Sequence, residues 1–224
     1  MKEFEPDNER FLILYKPAGY LSQFKNNGPK KGKKKLLGAW GRFPDGTMAI
    51  GRLDEQSEGL LLLTTDGMTS HKICKGPVEK EYHAQLDGEI TDDAIEALQQ
   101  GVEIGIRGKR YQTKPCAVLK MREGPPFPNT GRTIRGPRHG PTSWVSITLT
   151  EGKYRQVRKM TAAVGFPTLR LLRVRIGEIH LAGMEPGDVL ESENFLSKPG
   201  HVHALNTRAL HVDVQSRYDL GLQE

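Results

Sequence analysis

The chain has 224 residues, a formal net charge of +6 and two cysteines, Cys74 and Cys116. Two cysteines without CxxC spacing exclude a disulfide framework and a cysteine-based zinc site, which favours a reducing cytoplasmic location. No apolar run approaches the roughly 18 residues that a membrane span needs, and the acidic, polar start does not form a signal peptide. We therefore expect a soluble cytoplasmic protein that does not enter the membrane.

Basic residues concentrate in two segments. In residues 151–175 seven lysines and arginines accompany one acid, so the net charge of this segment alone equals the +6 of the whole chain. In residues 25–35 six lysines accompany glycine and proline without any acid, which predicts a basic loop. Solvated faces can carry such stripes, but two stripes in one chain favour a polyanionic partner, RNA or DNA.

The hydrophobic pattern predicts many strands and few helices. Apolar runs bounded by Gly, Pro or Asp predict strands at 11–15, 48–53, 60–65, 81–86, 116–121, 144–150 and 168–176. Helices are expected at 91–100, after a threonine cap, at 155–164, before a glycine, and over a shorter stretch at 68–74. Strands outnumber helices and no βαβ series is present, so we expect an α+β fold with a mixed, largely antiparallel sheet flanked by helices and loops.

Two segments lack apolar periodicity. Residues 124–142 are rich in Pro, Gly and Arg, which predicts a long surface loop that either contacts RNA or is a passive insertion. From residue 191 the chain turns polar, so we expect one domain over residues 1–190 and a tail of unknown role over residues 191–224. Histidines in that tail, His201, His203 and His211, are expected to be solvated and not to ligate a metal.

Residues 51–67, GRLDEQSEGLLLLTTDG, place two charged residues directly before the most apolar run of the chain. We expect Arg52 and Asp54 on one face of a strand end, because residues two apart point the same way, with Leu53 directed inward. The four leucines predict a strand buried on both faces. Spacing alone favours a turn-capping role for Asp54. A carboxylate held rigidly at the edge of a buried strand would also suit catalysis.

This stretch resembles the active-site motif of the RsuA family of pseudouridine synthases, GRLD-x-x-S-x-GLLLLT-x-DG, at every fixed position. YKPAG at 15–19 resembles the family's Lys-Pro-x-Gly motif, with Tyr15 where Asn is common. EKEYHAQLDG from residue 79 is similar to the segment with the active-site tyrosine, and residues 151–181 are similar to the last motif. The resemblance extends from residue 11 to about 190 and favours the RluE-like branch, which lacks the S4 domain.

The resemblance implies a catalytic domain over residues 1–190 that isomerises uridine in RNA to pseudouridine. Asp54 would be the catalytic carboxylate, Arg158 its counter-ion and Tyr82 the ring that stacks on the uracil. Arg52 would occupy the space of a flipped-out nucleotide, and Leu181 would form the apolar wall of the uracil pocket. Phosphate contacts are expected from four further cations: Lys16, Arg155, Arg170 and Arg173.

Because the reaction rearranges one molecule without redox change, no cofactor and no metal are expected. The resemblance favours a uridine of 23S large-subunit rRNA and a monomeric enzyme, while a site in tRNA or 16S rRNA stays open. A non-catalytic RNA-binding protein of ribosome assembly is the first competing class, but binding alone does not need Asp54, Tyr82 and Arg158. A metal-dependent nuclease or phosphotransferase using Asp54, Glu55 and Glu58 is the second, but the chain lacks a further cluster of acids.

Overall fold

The computed structural model describes residues 9–25, 34–41, 43–130, 133–198, 201–202 and 208–209. These residues form one ten-stranded mixed sheet, three two-stranded sheets and three α-helices. The strands are β1 Phe11–Lys16, β2 Tyr20–Leu21, β3 Lys35–Leu36, β4 Met48–Ile50, β5 Glu58–Thr64, β6 Lys80–Asp87, β7 Glu103–Ile106, β8 Lys109–Gln112, β9 Ala117–Met121, β10 Thr142–Leu149, β11 Thr168–Ile176, β12 Ile179–His180, β13 Val189–Ser192, β14 Leu196–Lys198, β15 His201–Val202 and β16 Arg208–Ala209. The helices are α1 Gly67–Lys75, α2 Asp92–Gln100 and α3 Gln156–Ala163.

The architecture confirms the expected α+β fold, and every predicted strand and helix is present in some form. The strand predicted at 48–53 is shorter than expected because β4 ends at Ile50, so Arg52 and Asp54 lie in a loop and not at a strand end. The pattern also missed the hairpin of β7 and β8, whose strands are short and whose exposed residues include many charges. Within the described ranges, no helix is long and apolar enough to cross a membrane.

The large sheet has the order β16-β13-β1-β5-β11-β6-β10-β9, with β4 beside β5 and β12 beside β11. In this sheet β5 and β11 run parallel and share two residue pairs, one of which joins Gly59 to Arg173. A Cβ atom on Gly59, which has φ +101°, would lie 2.3 Å from the carbonyl oxygen of Arg173. Only glycine permits β5 and β11 to come this close. Their pairing joins the two halves of the sheet immediately after the Asp54 loop.

The leucine run of β5 is buried on both faces, as its pattern predicts. Leu60 and Leu62 pack into one apolar cluster, Leu61 and Leu63 pack into another, and all four are fully buried. Burial of each leucine stabilises the fold by about 2 kcal/mol. The strand that follows the Asp54 loop is therefore a rigid support for it.

Side chains cap the beginnings of α1 and α2, and the threonine cap of α2 is the one predicted. The Asp66 carboxylate accepts N–H groups of Met68 and Thr69 at 2.8 Å at the start of α1, and the Thr91 hydroxyl accepts the Ala94 N–H at 3.3 Å at the start of α2. Leu98 of α2 and Met160 of α3 pack with buried residues of β6 and β10 in a third apolar cluster. This cluster fixes α3 against the half of the sheet that carries Tyr82.

Part of the segment predicted as a tail belongs to the packed fold. β13 pairs with β1, so the domain boundary predicted at residue 190 falls inside a strand of the large sheet. Phe195 is fully buried and its ring lies 5.4 Å from that of Phe11. Val202 is 1% exposed. The packed fold therefore includes described residues beyond position 190, among them Phe195 and Val202.

Some segments singled out in the sequence lie partly outside the described residues. These are residues 26–33 of the lysine-rich segment, residues 199–200, 203–207 and 210–224 of the predicted tail, and residues 131–132 of the Pro-rich segment. In its described part, the Pro-rich segment has no regular structure apart from the 3-10 turn Pro137–His139 and the beginning of β10, in agreement with the predicted loop.

Candidate active site

The Asp54 loop is anchored by its neighbours. The Ser22 hydroxyl donates to the Leu53 carbonyl oxygen at 2.8 Å and accepts the Leu53 N–H at 3.0 Å. The Ser57 N–H donates to the Asp54 carbonyl oxygen at 3.0 Å. Leu53 itself is directed inward, as predicted, and is 6% exposed. These contacts hold the backbone on both sides of the Asp54 carboxylate.

Lys16, expected at a phosphate, is fully buried beneath this loop. Its ammonium donates to the carbonyl oxygens of Pro17 and Ser57 at 2.8 Å and of Glu55 at 3.4 Å. Burial lowers the pKa of Lys16 to about 7. A phosphate contact does not fit this position, and the side chain instead fastens the Lys-Pro-x-Gly segment to the Asp54 loop.

Two arginines face the Asp54 carboxylate. Nη1 of Arg155 lies 3.1 Å from Asp54 Oδ2, and Nε of Arg158 lies 3.8 Å from the same oxygen. The structure thus brings Arg158 to Asp54, where the resemblance places it. It places Arg155, expected at a phosphate, even closer to the carboxylate.

Asp54 lines a cavity of about 60 Å³ beside a cleft of about 600 Å³. Tyr82, which β6 supplies, and Arg52 line both spaces. Tyr82 is partly buried, while Arg52 is exposed and donates from Nη2 to Gln23 Oε1 at 3.1 Å. Tyr82 and Arg52 therefore stand where the small cavity meets the larger cleft.

The larger cleft is strongly basic. Glu151 is the one acid among its described lining residues, and burial lowers the pKa of Lys80 on its wall. A cleft lined by charges of one sign concentrates counter-charged molecules at its surface. The cations that line it are Arg52, Lys75, Lys80, Lys114, Lys153 and Arg173. This composition suits a nucleic acid backbone.

Arg173 is one of the residues that line the cleft, and it is 4% exposed. Its Nε donates to the Leu60 carbonyl oxygen at 2.7 Å, and its guanidinium carbon lies 6.0 Å from the centre of the Tyr82 ring. A cation at this distance is attracted to the face of the ring. Arg173 therefore supports Tyr82. It also lines the basic cleft, and its Nη2 has no hydrogen-bond partner among the described residues, so the expected phosphate contact stays a prediction.

Arg170 is also buried, at 8% exposure, and does not fit the expected phosphate contact. Its Nε and Nη2 lie 3.0 and 3.2 Å from the two carboxylate oxygens of Glu58. Nη2 also donates to the Pro128 carbonyl oxygen at 2.7 Å, and Glu58 accepts the Thr130 hydroxyl at 2.8 Å. The pair therefore fixes the beginning of the Pro-rich loop to the centre of the sheet.

Leu181, expected in the wall of the uracil pocket, lies in the core. It is fully buried among apolar residues of β1, β5 and β11, and its N–H donates to the Val174 carbonyl oxygen at 2.8 Å. It is not among the described residues that line either cavity. The geometry assigns it a packing role.

The three acids of the nuclease alternative do not converge. Each pairs with a different cation: Asp54 with Arg155, Glu55 with Lys34 at 2.7 Å, and Glu58 with Arg170. The described residues contain no group of three side chains of the His, Cys, Asp and Glu types placed to hold one metal ion. This arrangement gives the nuclease hypothesis no structural support.

Glu151 is a site residue that the sequence reasoning missed. Its carboxylate accepts the Tyr111 hydroxyl at 2.6 Å, the Lys114 N–H at 3.0 Å and the side-chain amide of Gln156 at 2.5 Å. Burial alone would raise the pKa of Glu151, but these hydrogen bonds lower it. The sequence feature that could have identified Glu151 is its position as the one acid in a segment with seven cations, residues 151–175. It ties the β7–β8 hairpin to the turn that leads into α3.

Known proteins share both the sequence and the fold. Residues 10–163 match the model of the family described as RNA pseudouridylate synthase. A ribosomal large subunit pseudouridine synthase E of Xanthomonas campestris is 38% identical over 178 residues, which cover 79% of this chain and 91% of that protein. An enzyme of the same name from Vibrio parahaemolyticus is 38% identical over 182 residues, which cover 80% of this chain and 72% of that protein. A crystal structure of a pseudouridylate synthase has a TM-score of 0.63 at 26% identity, covering 82% of this chain and 70% of that one. The family match spans more than half of the chain and the two relatives align over most of their lengths, so the chain belongs to the RNA pseudouridylate synthases, isomerases that convert uridine in RNA to pseudouridine.

Proposed function

We propose that the chain isomerises a uridine of large-subunit ribosomal RNA and that Asp54 is the catalytic carboxylate. The names of the similar enzymes from Xanthomonas and Vibrio support the substrate. The observation that carries the catalytic assignment is the position of Asp54. It lines a small cavity with Tyr82 beside a basic cleft, and Arg155 and Arg158 lie 3.1 and 3.8 Å from its carboxylate. A carboxylate held in this way is aimed at a group that enters from the cleft.

The reaction itself defines what the site supplies. The N1–C1′ bond breaks, a C5–C1′ bond forms, and the proton lost from C5 is balanced by one gained at N1. Reactant and product are isomers, so the balance needs no co-reactant. A carboxylate can attack C1′, attack C6 of the base, or act as a base on the ribose, and each route needs a fixed Asp54 beside the nucleoside.

Tyr82 and Arg52 have separate roles in this proposal. The Tyr82 ring, supported from below by Arg173, offers a flat apolar surface on which the freed uracil stacks while it turns. Extruding a paired base costs a few kcal/mol. Arg52, exposed at the mouth of the cavity, fills the gap that the extruded nucleotide leaves in the RNA.

The experiment that tests the proposal is a map of pseudouridine in cellular RNA. Ribosomal and transfer RNA from cells with and without the gene are treated with carbodiimide and read by primer extension. We expect one large-subunit position to lose its signal in the deletion and to regain it when the gene is restored. Loss at a tRNA or 16S position would contradict the proposed substrate, and no loss anywhere would contradict the proposed function.

A further inference from the structure

The two arginines at Asp54 differ in how firmly they are held. The Arg158 side chain is 12% exposed, and its guanidinium donates to the carbonyl oxygens of Thr168 at 3.2 Å and Gln56 at 3.3 Å. The Arg155 side chain is 41% exposed, and within the described ranges its guanidinium makes its hydrogen bond to Asp54 alone. Arg155 can therefore leave the carboxylate without breaking other contacts, whereas Arg158 cannot.

The backbone of Arg155 is unusual. With φ 54° and ψ 37° it lies in the left-handed region, directly before α3, and its side chain makes no capping hydrogen bond. Glycine adopts this conformation freely, and arginine rarely does. Such strained positions cluster at functional sites, where the side chain is needed. The strain therefore indicates a role for the Arg155 side chain beyond starting the helix.

The space next to the Asp54 carboxylate is small, and Arg155 lines it. About 60 Å³ next to the carboxylate is room for a few water molecules, and the room for a ribose and its base lies in the adjoining cleft of about 600 Å³. Both Arg155 and Asp54 line this space. Of the two arginines at the carboxylate, Arg155 is the more loosely held, so its movement would open the approach of a nucleoside from the cleft to Asp54.

We propose that Arg155 is a displaceable counter-ion. In the free enzyme its guanidinium covers Asp54; when uridine enters, it leaves the carboxylate and binds the phosphodiester beside that uridine, while Arg158 stays in place. The guanidinium exchanges one anion for another, and its planar fork suits both carboxylate and phosphate. This inference rests on the proposed function for the identity of the substrate.

A double-mutant cycle on RNA binding tests whether Arg155 exchanges Asp54 for a phosphate, and it does not depend on turnover. The dissociation constant of a fluorescent oligouridylate is measured over a range of salt for the wild type, Asp54→Asn, Arg155→Gln and the double variant. Asp54→Asn should release Arg155 and tighten binding by up to about fivefold, the upper range for an exposed ion pair. In the Arg155→Gln background this gain should vanish. Arg155→Gln alone should also reduce the salt slope by about 0.7, the loss of one phosphate contact.

The matched control removes an arginine charge that does not touch Asp54. Arg110 is 86% exposed in its side chain and pairs with Glu103. In the Arg110→Gln background the gain from Asp54→Asn should persist. An equal gain in the Arg155→Gln and wild-type backgrounds, or no gain in either, overturns the inference. Arg155→Gly, which suits the positive φ, repeats the test if the glutamine variant is unstable. A failure of the proposed function would show separately, as unchanged pseudouridine in the RNA map.

Discussion

The buried pair of Glu58 and Arg170 predicts a large loss of stability when one charge is removed. Their side chains are 2% and 8% exposed, and two N–H groups of Arg170 reach the two oxygens of Glu58. Glu58→Gln leaves the guanidinium buried without its counter-charge, which costs about 3 to 5 kcal/mol. Domains are stable by only about 5 to 15 kcal/mol. For a chain of this size, the melting temperature should fall by roughly 6 to 20 °C.

Urea unfolding followed by circular dichroism measures this loss. The midpoint should fall while the slope with urea stays unchanged. Glu55→Gln is a matched control, because Glu55 pairs with Lys34 at 30% and 53% side-chain exposure, and an exposed pair contributes less than about 1 kcal/mol. Replacing both members, as in Glu58→Leu with Arg170→Met, should recover part of the loss. A cost of Glu58→Gln no larger than that of Glu55→Gln would refute the reasoning.

Three further predictions concern Lys16, Gly59 and Arg158. The folded pKa of Lys16, about 7, lies below the ordinary lysine value, so the unfolded chain binds more protons above pH 7 and stability should rise with pH there. Relative to Lys16→Met, the wild-type free energy of unfolding should rise by up to about 1.4 kcal/mol per pH unit between pH 7 and about 10. If the two proteins show parallel curves of unfolding free energy against pH, deprotonation of Lys16 is not coupled to folding. Gly59→Ala should strongly destabilise the fold in urea, because its Cβ would overlap the Arg173 backbone, whereas Gly67→Ala meets no atom within 4 Å and should change little. Arg158→Met should reduce the single-turnover rate of pseudouridine formation by about 100-fold, and an unchanged rate would remove Arg158 from the site.

Local pattern was enough to predict the support of the site. The run Leu60 to Leu63 has no polar alternation, so a strand buried on both faces is its natural solution, and the structure shows one. The capping residue Thr91 likewise marked the start of α2. These features depend on residues close together in the chain.

The partners of charged residues could not be predicted in this way. Arg170 is in a basic segment, and its counter-charge, Glu58, is 112 positions away, so composition alone suggested a solvent-facing phosphate contact. The same limit applies to Lys16, whose partners are backbone carbonyl oxygens that no side-chain pattern reveals. Arg155 and Arg158 lie on one turn of chain, but only the tertiary structure shows that both meet Asp54 and that Arg155 is closer.

The catalytic role of Asp54 is tested most directly by Asp54→Asn, which keeps the shape of the side chain and removes its charge. The purified variant is incubated with the RNA identified by the pseudouridine map, and the target position is read by carbodiimide and primer extension, with Glu55→Gln as the control. We predict no pseudouridine from Asp54→Asn, with an unchanged circular dichroism spectrum and retained RNA binding. Modification at the wild-type rate would contradict the assignment of Asp54 as the catalytic carboxylate.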